Sequence, residues 1–257
     1  MIVALIDNGS LEAASHRQLR ALAAELSRRC GAEVHAVSWK HSDRVPAAEL
    51  EGRPGQVLAP FVRHQLAAGR RCFLFVPLFI SAQGAIGSSL RRDLDELARE
   101  TGGFEFGFTP GLSDAGVLPA ILADRIRETE ATAGRHELPV ILVDHGGPST
   151  ASALLRDRVA TEVSLLLGRP VRPCSMEGAH PPLLCDVLAE PALTGRDVVV
   201  AQLFLAPGRH AGPGGDIEEI CRSSSAICHR TALVGTHPRV AEVLAAAVRD
   251  SLPAKPR

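Results

Sequence analysis

The chain passes from an apolar run into a glycine loop at Leu138-Pro139-Val140-Ile141-Leu142-Val143-Asp144-His145-Gly146-Gly147. A second run does the same at Val198-Val199-Val200-Ala201-Gln202-Leu203-Phe204-Leu205-Ala206-Pro207-Gly208-Arg209-His210. Short, continuously apolar runs are typical of strands that are buried on both faces of a parallel sheet. Both imidazoles are therefore predicted to lie at the carboxyl ends of strands, where open α/β sheets bind their ligands.

Composition limits the classes of protein and of partner. The chain has 257 residues, 46% of them hydrophobic, with 28 basic and 29 acidic side chains. Its charges nearly cancel and no basic stripe with interleaved aromatic residues is present, which excludes an obvious nucleic-acid surface and favours a small-molecule partner. The chain begins with a run that is typical of a strand rather than of a leader, and no apolar stretch reaches the roughly 18 residues of a membrane span. We expect a cytoplasmic protein without membrane contact, whose six cysteines are reduced.

Apolar runs alternate with helix-period segments along the whole chain, which predicts an α/β fold with parallel sheets. Four strands are predicted in each half, at 2–7, 34–38, 72–79 and 104–108, then at 139–143, 170–175, 197–205 and 230–234. The pattern predicts two similar flavodoxin-like domains, each a four-stranded parallel sheet flanked by helices. We assign them to residues 1–130 and 131–257, divided at a polar stretch that has the composition of a linker.

The two halves also share a register, which indicates an internal duplication. Asn8-Gly9-Ser10 corresponds to His145-Gly146-Gly147 at an offset of 145 − 8 = 137. The second predicted strands correspond at the same offset, so that Lys40 stands where Glu177 stands. Matching offsets over two elements favour duplication over coincidence.

The predicted strand order brings the two histidines together. In the flavodoxin-like order 2-1-3-4, the first and third strands are neighbours and the ligand crevice opens between them. His145 follows the first strand of its half, His210 follows the third, and Glu177 ends the second. Two histidines and one carboxylate suit Fe, Co, Ni or Zn, and such a set leaves coordination positions open for reaction or transfer.

The first half lacks these groups. Asn8 replaces the first histidine, Lys40 replaces the glutamate, and no histidine occurs around Ser81–Ala85, where a counterpart of His210 would stand. A protonated lysine has no lone pair with which to bind a cation. We expect one working site, in the second half, with the first half as its structural partner and as the opposite wall of a cleft.

Several segments of the second half resemble the class II tetrapyrrole metal chelatases, the sirohydrochlorin cobalt, nickel and iron chelatases. The resemblance is carried by four stretches: 143–147, Ser175-Met176-Glu177 with Pro181-Pro182, the long loop 203–217, and 236–240 at the start of the last helix. The loop is the most specific of the four. The resemblance is good over about 138–251, and the first half matches only as a degenerate copy.

The resemblance implies an enzyme that inserts a divalent metal into a polycarboxylated tetrapyrrole without a nucleotide, in cobalamin- or siroheme-type biosynthesis. It implies metal-binding and proton-accepting roles for His145 and His210, with Glu177 assisting in metal capture or proton removal. Such a reaction needs bases that remove two pyrrole protons, and histidine is largely neutral at pH 7. The metal, Co²⁺, Fe²⁺ or Ni²⁺, is a substrate.

Substrate-binding residues are predicted from the same loops. Arg209 is the leading candidate to bind a carboxylate arm of the macrocycle. Gly146, Gly208 and Gly212 would let the backbone approach a flat ligand closely. Asp216 is interpreted as a helix-start residue rather than a ligand.

Three readings of the site remain open. The first is the chelatase, the second a non-catalytic metal or tetrapyrrole carrier derived from the same fold, and the third a metal-dependent hydrolase, which no further acid-base constellation supports. Asp144 either orients His145 or simply ends its strand. The sequence identifies neither the metal nor the tetrapyrrole, and it allows a monomer or a homodimer.

Overall fold

The computed structural model describes residues 1–80, 85–147 and 150–252. Within these ranges, eight strands and eight α-helices alternate. The strands are β1 (Ile2–Asp7), β2 (Val34–Ser38), β3 (Cys72–Pro77), β4 (Glu105–Phe108), β5 (Val140–Gly146), β6 (Val171–Glu177), β7 (Asp197–Gln202) and β8 (Ile227–Arg230). The helices are α1 (Ala13–Cys30), α2 (Leu58–Ala67), α3 (Ala85–Glu100), α4 (Leu118–Ala133), α5 (Thr150–Leu167), α6 (Leu184–Leu188), α7 (Asp216–Ser223) and α8 (Pro238–Ser251).

The strands form two parallel four-stranded sheets of identical topology. Their orders are β2-β1-β3-β4 and β6-β5-β7-β8, and every neighbouring pair is parallel. The central strands β1, β5 and β7 are almost entirely buried, because helices cover both faces of a parallel sheet. The predicted fold class and strand order are confirmed.

Contacts group the chain into two compact units. One comprises residues 1–115 and 238–257, and the other comprises residues 116–237. Helix α8 therefore packs in the first unit, against α1, and α4 packs in the second, against α5. The division at residue 130 describes the repeat in the sequence and stays a prediction.

The offset of 137 extends to individual hydrogen bonds. The Ser27 hydroxyl donates to the Ala23 carbonyl at 2.8 Å and accepts from the Val34 amide at 2.9 Å. The Ser164 hydroxyl makes the same two bonds, to Ala160 and from Val171, at 2.8 and 2.9 Å. In both units one serine thus links the helix after the first strand to the start of the second strand.

All four strands of the second unit differ in their boundaries from the prediction, and β5 and β6 extend past their predicted ends, to Gly146 and Glu177. The last strand lies at Ile227–Arg230, earlier than the predicted 230–234, because the apolar residues after Arg230 turn away from the sheet into a short 3₁₀ turn at Val234–Thr236. Strand β7 ends at Gln202 rather than at 205. His210 therefore lies inside a long loop, not directly at a strand end.

The core of the second unit is formed by the strands and helices next to His145 and His210. Apolar residues of β5, β6, β7, α6 and α7 pack together there, including Val143, Met176 and Ile217. None of the helices in the described ranges combines the length and the apolar character needed to span a membrane.

Candidate functional site

The predicted ligands lie at one end of the second sheet. His145 and Gly146 are the last two residues of β5, and Gly146 pairs with Glu177, the last residue of β6. His210 comes from the loop between β7 and α7. The side chains of His145 and Glu177 are 49% and 57% exposed, whereas that of His210 is 29% exposed. Two accessible groups thus stand beside a more enclosed imidazole.

The two imidazoles meet. Their Nε2 atoms are 3.2 Å apart, and the ring planes are inclined by 76°. The Nε2 atom of His145 also lies 3.5 Å from Oε1 of Glu177. The structure brings together the three residues that the sequence selected as ligands.

Both rings have an acceptor at the other nitrogen. Nδ1 of His210 is 2.5 Å from Oδ2 of Asp216, and Nδ1 of His145 is 3.2 Å from the Gly146 carbonyl oxygen. Carboxylate and carbonyl oxygens accept hydrogen bonds, so in the neutral rings the proton is assigned to Nδ1 and the lone pair to Nε2. This arrangement, with a second residue orienting the ligand, is usual for metal-binding histidines.

With this assignment, the two Nε2 lone pairs face each other without a hydrogen to share. Two nitrogens at 2.0–2.1 Å from one tetrahedral ion would lie about 3.3 Å apart, close to the 3.2 Å observed here. A cation between the two Nε2 atoms would relieve their mutual repulsion. Within the described ranges, no three His, Cys, Asp or Glu side chains are already grouped closely enough to hold an ion. Glu177 would join the histidines only after its exposed side chain rotates.

Gly146 allows the two strand ends to approach closely. Its φ is +83°, and a Cβ built on it would lie 1.8 Å from the Glu177 carbonyl oxygen. A side chain at position 146 would therefore push the end of β5, which carries His145, away from Glu177. Gly9 has the same relation to Lys40 in the first unit, with φ +84° and a Cβ distance of 1.7 Å.

The loop before α7 is a series of tight turns. The Gly212 amide donates to the Gly208 carbonyl at 2.9 Å, and a Cβ on Gly212 would lie 2.7 Å from that oxygen. The side chain of Arg209 is 83% exposed, with Nε 4.0 Å from Oδ2 of Asp216. Arg209 is exposed, Gly146 and Gly208 are partly exposed, and Gly212 is buried; the substrate-binding roles of all four remain predictions.

A buried polar network underlies β5 and β6. The Ser175 hydroxyl donates to Oδ1 of Asp144 at 2.7 Å and accepts from Nη1 of Arg156 at 2.6 Å. Burial raises the pKa of Asp144, while the Ser175 hydrogen bond and the Arg156 charge oppose that shift. Asp144 is thus bound to its neighbouring strand, and the acceptor for His145 Nδ1 is Gly146 instead.

The first unit has no equivalent ligand pair in its described residues. Lys40 corresponds to Glu177 by the offset of 137. Its Nζ atom lies 4.0 Å from the Trp39 ring centre and 3.7 Å from Oδ2 of Asp93. The predicted lack of a histidine near Ser81–Ala85 concerns a segment of which residues 81–84 lie outside the described ranges.

Asp216 is the site residue that the sequence interpretation undervalued. It does begin helix α7, as expected, but its carboxylate also binds His210. A helix-start aspartate six residues after a loop histidine has two acceptable explanations, and only the path of the glycine turns decides between them. The only sequence signal for the His210–Asp216 contact was their separation by six residues in one loop.

The family model of CbiX matches residues 139–251, which include all three candidate ligands. A search of curated protein sequences found no match.

Solved structures match almost the whole chain. A structure described as CbiX, the terminal enzyme for biosynthesis of siroheme in denitrifying bacteria, is 17% identical with a TM-score of 0.69, covering 98% of this chain and 100% of that one. The sirohydrochlorin chelatase SirB from Bacillus subtilis subspecies spizizenii, in complex with cobalt, is 14% identical with a TM-score of 0.66, covering 97% and 95%. SirB from Bacillus subtilis with Fe3+ is 13% identical with a TM-score of 0.63, covering 97% and 95%.

At these identities the structural matches establish the fold, and the family model adds the sequence pattern of the half that carries the site. Residues 139–251 match the CbiX family model, and the chain as a whole has the same two-sheet fold as the solved CbiX and SirB structures.

Proposed function

We propose that this protein inserts a divalent metal, Co²⁺, Fe²⁺ or Ni²⁺, into sirohydrochlorin or a related tetrapyrrole without a nucleotide, in cobalamin- or siroheme-type biosynthesis. One observation carries the proposal: the Nε2 atoms of His145 and His210 lie 3.2 Å apart, beside the Glu177 carboxylate, in a segment that matches the CbiX family model. The metal is a substrate, so the site has to bind it and then release it.

Metal capture is assigned to His145 and Glu177. Both side chains are about half exposed, and Nε2 of His145 lies 3.5 Å from Oε1 of Glu177. An imidazole and a carboxylate can replace two water ligands of a hydrated first-row ion while its other positions stay open. A partly hydrated ion held in this way is available to the macrocycle nitrogens.

His210 also ligates the captured ion through Nε2, and it is assigned the chief role in proton removal as the metal leaves it. Insertion of M²⁺ replaces two pyrrole N–H protons, so the macrocycle gains one divalent ion and releases two protons. His210 can accept a proton at Nε2, and Asp216 at 2.5 Å from Nδ1 stabilises the imidazolium that forms. Glu177 or His145 can accept the second proton as the metal leaves them.

The same rim offers groups for the substrate. Sirohydrochlorin carries carboxylate arms, and the exposed Arg209 guanidinium is suited to bind one of them. The turns at Gly208 and Gly212 leave backbone beside His210 free of bulky side chains. A flat macrocycle could therefore approach the Nε2 atoms closely.

Two structural relatives are described with cobalt and with Fe3+, which is consistent with a first-row metal here. Histidine and carboxylate ligands accept several such ions, so the assay has to include all three metals. A cytoplasmic location and a monomeric or homodimeric state are proposed from the sequence alone.

The experiment is an anaerobic absorbance assay with purified protein, sirohydrochlorin in molar excess, and each metal in turn. We expect insertion faster than the spontaneous rate with at least one metal, and multiple turnovers per chain. His145→Ala and His210→Ala should each lose most of that acceleration. His64→Ala is the matched control, because His64 is an exposed histidine on α2.

Three results would contradict the proposal. One is no acceleration with any of the three metals, and another is full activity in both histidine variants. The third is stoichiometric binding of sirohydrochlorin or metal without turnover, which would identify a carrier.

A further inference from the structure

Arg156 is a charged residue that nothing assigned so far uses. It lies on α5, and its side chain is only 3% exposed. Burying a guanidinium is costly unless its donors are all directed at acceptors. The partners of Arg156 therefore indicate what the charge does.

The Arg156 guanidinium has one partner at the protein surface and two in the interior. Nε and Nη2 both lie 2.8 Å from Oδ1 of Asp157, at the solvent side. Nη1 donates to the Ser175 hydroxyl at 2.6 Å and lies 3.3 Å from the His180 carbonyl oxygen. One nitrogen thus joins β6 to the loop that follows Glu177.

The chain of hydrogen bonds continues to β5. Ser175 lies two residues before Glu177. Its hydroxyl donates a hydrogen bond to the carboxylate of Asp144, the residue before His145. Arg156 therefore contacts the Ser175 hydroxyl before Glu177 and the His180 carbonyl after it, and through Ser175 it is linked to the Asp144 carboxylate beside His145. It touches neither ligand.

The first unit provides an internal comparison. By the offset of 137, the counterpart of Arg156 is Leu19 (156 − 137 = 19), which is buried and apolar. Ser38, the counterpart of Ser175, instead accepts a hydrogen bond from Ser42 at 2.7 Å. The first unit thus keeps the serine but has a buried leucine at the position of Arg156.

We infer that Arg156 is a positioning residue of the metal site, which holds Glu177 and His145 in register through Ser175, Asp144 and the His180 carbonyl. This inference rests on the proposed function for its activity readout, and on metal binding alone for its second readout. Because Arg156 is buried, it should affect metal affinity and turnover but not the binding of the macrocycle.

The test compares Arg156→Met, Arg156→Lys and Ser175→Ala with the matched control Arg158→Met, an exposed arginine on the same helix. Each protein is titrated with Co²⁺ by calorimetry and visible absorbance, then assayed for insertion. Measurements are made at a temperature at which circular dichroism gives the wild-type spectrum. We expect Arg156→Met to weaken Co²⁺ binding at least tenfold, to lower kcat, and to leave KM for sirohydrochlorin unchanged.

Rescue separates positioning from simple stabilisation. Arg156→Lys should recover part of the Co²⁺ affinity, and Ser175→Ala should weaken it in the same direction as Arg156→Met. A purely structural arginine would lower the folded fraction and leave the Co²⁺ affinity of the folded protein unchanged. Should Arg156→Met fail to fold, wild-type affinity in both Arg156→Lys and Ser175→Ala would overturn the inference.

The two proposals fail in different ways. A wild-type protein that does not accelerate insertion would overturn the proposed function, whereas the Co²⁺ titrations would still decide the role of Arg156. An active wild type together with an Arg156→Met variant of unchanged kcat and Co²⁺ affinity would overturn the positioning role alone.

Discussion

The Nε2 atoms of His145 and His210 lie 3.2 Å apart although the two residues are separated by 65 positions in the chain. Parallel topology produces this contact, because β5 and β7 are neighbours whose carboxyl ends reach the same edge of the sheet. Each ring is oriented by an acceptor at Nδ1, so both lone pairs point at a common position. The residues that hold the two rings in place and the metal binding by the rings can be tested separately.

Replacing Asp216 by asparagine should weaken the site without removing a ligand. The carboxylate fixes the Nδ1–H tautomer of His210 and stabilises its imidazolium, and loss of such a partner typically costs 10–100-fold in metal affinity or activity. Co²⁺ titration and the insertion rate measure the effect. Glu219→Gln, on the same helix but exposed, is the control. An Asp216→Asn protein as active as the control would exclude the tautomer argument.

A methyl group at Gly146 should damage both stability and metal binding. An alanine at this positive φ is strained by about 1–3 kcal/mol. Its Cβ would also collide with the Glu177 carbonyl oxygen. Gly134→Ala controls for φ alone, since Gly134 has φ +63° and no atom within 4 Å of its Cβ position. We expect Gly146→Ala to lower Tm more than Gly134→Ala does.

Gly9→Ala makes the same collision in the unit without ligands. It should lower Tm about as much as Gly146→Ala but leave Co²⁺ affinity unchanged. Equal losses of Co²⁺ affinity in the two alanine variants would show that the effect is global destabilisation.

A buried histidine in the first unit should make stability depend on pH. His16 is 1% exposed, and neither ring nitrogen has a hydrogen-bond partner among the residues that the structure describes. Burial, aided by the Arg20 charge, lowers the pKa of His16 to about 4 from 6.5. Between these values the unfolded chain binds the proton more strongly, so this contribution is complete above pH 6.5 and declines as the pH falls toward 4. The loss reaches roughly 3 kcal/mol at 1.36 kcal/mol per pKa unit.

Urea unfolding of wild type and His16→Leu across pH 4–7 measures this effect. The stability of the variant relative to wild type should rise as the pH falls through that window. A relative stability that does not change with pH would contradict the assignment.

Asp7 should act in the opposite direction. Burial raises its pKa to about 6 from 3.8, although Ser38 and the Gly9 backbone oppose the shift. The native state then binds the proton more strongly than the unfolded chain, so stability from this group is present below about pH 4 and is lost as the pH rises through 6. Asp7→Asn should therefore stabilise the protein at pH 7.5 and much less at pH 4.

The Asp7 and His16 contributions partly cancel in wild type. Single variants should reveal slopes of opposite sign in the unfolding free energy against pH, and the double variant should return close to the wild-type slope. Slopes of the same sign in the two single variants would refute one of the two pKa shifts.

Much of the fold and the ligand set could be predicted from the sequence. The apolar runs that end in glycine loops located β5 and β7, and the offset of 137 identified Lys40 as the counterpart of Glu177. Periodicity failed at β8, because the apolar residues after Arg230 leave the sheet and enter a 3₁₀ turn at Val234–Thr236 instead of pairing as a strand. A one-dimensional pattern records that residues are apolar but not which element covers them.

The supporting residues could not be predicted in the same way. Arg156 follows a helical pattern in which arginine is usually solvated, and only the packing of α5 on β6 buries it. Asp216 reaches His210 through a loop whose turns depend on several glycines acting together. Tertiary contacts determine both positions.

The central claim is that His145 and His210 bind one metal ion between their Nε2 atoms. Calorimetric titration of the wild-type protein and of His145→Ala, His210→Ala and the double variant with Co²⁺ tests it most directly. The account predicts one Co²⁺ per chain, a loss of at least tenfold in affinity for either single variant, and a smaller additional loss on combining them. Wild-type Co²⁺ affinity in either single variant, or two independent sites per chain, would contradict it.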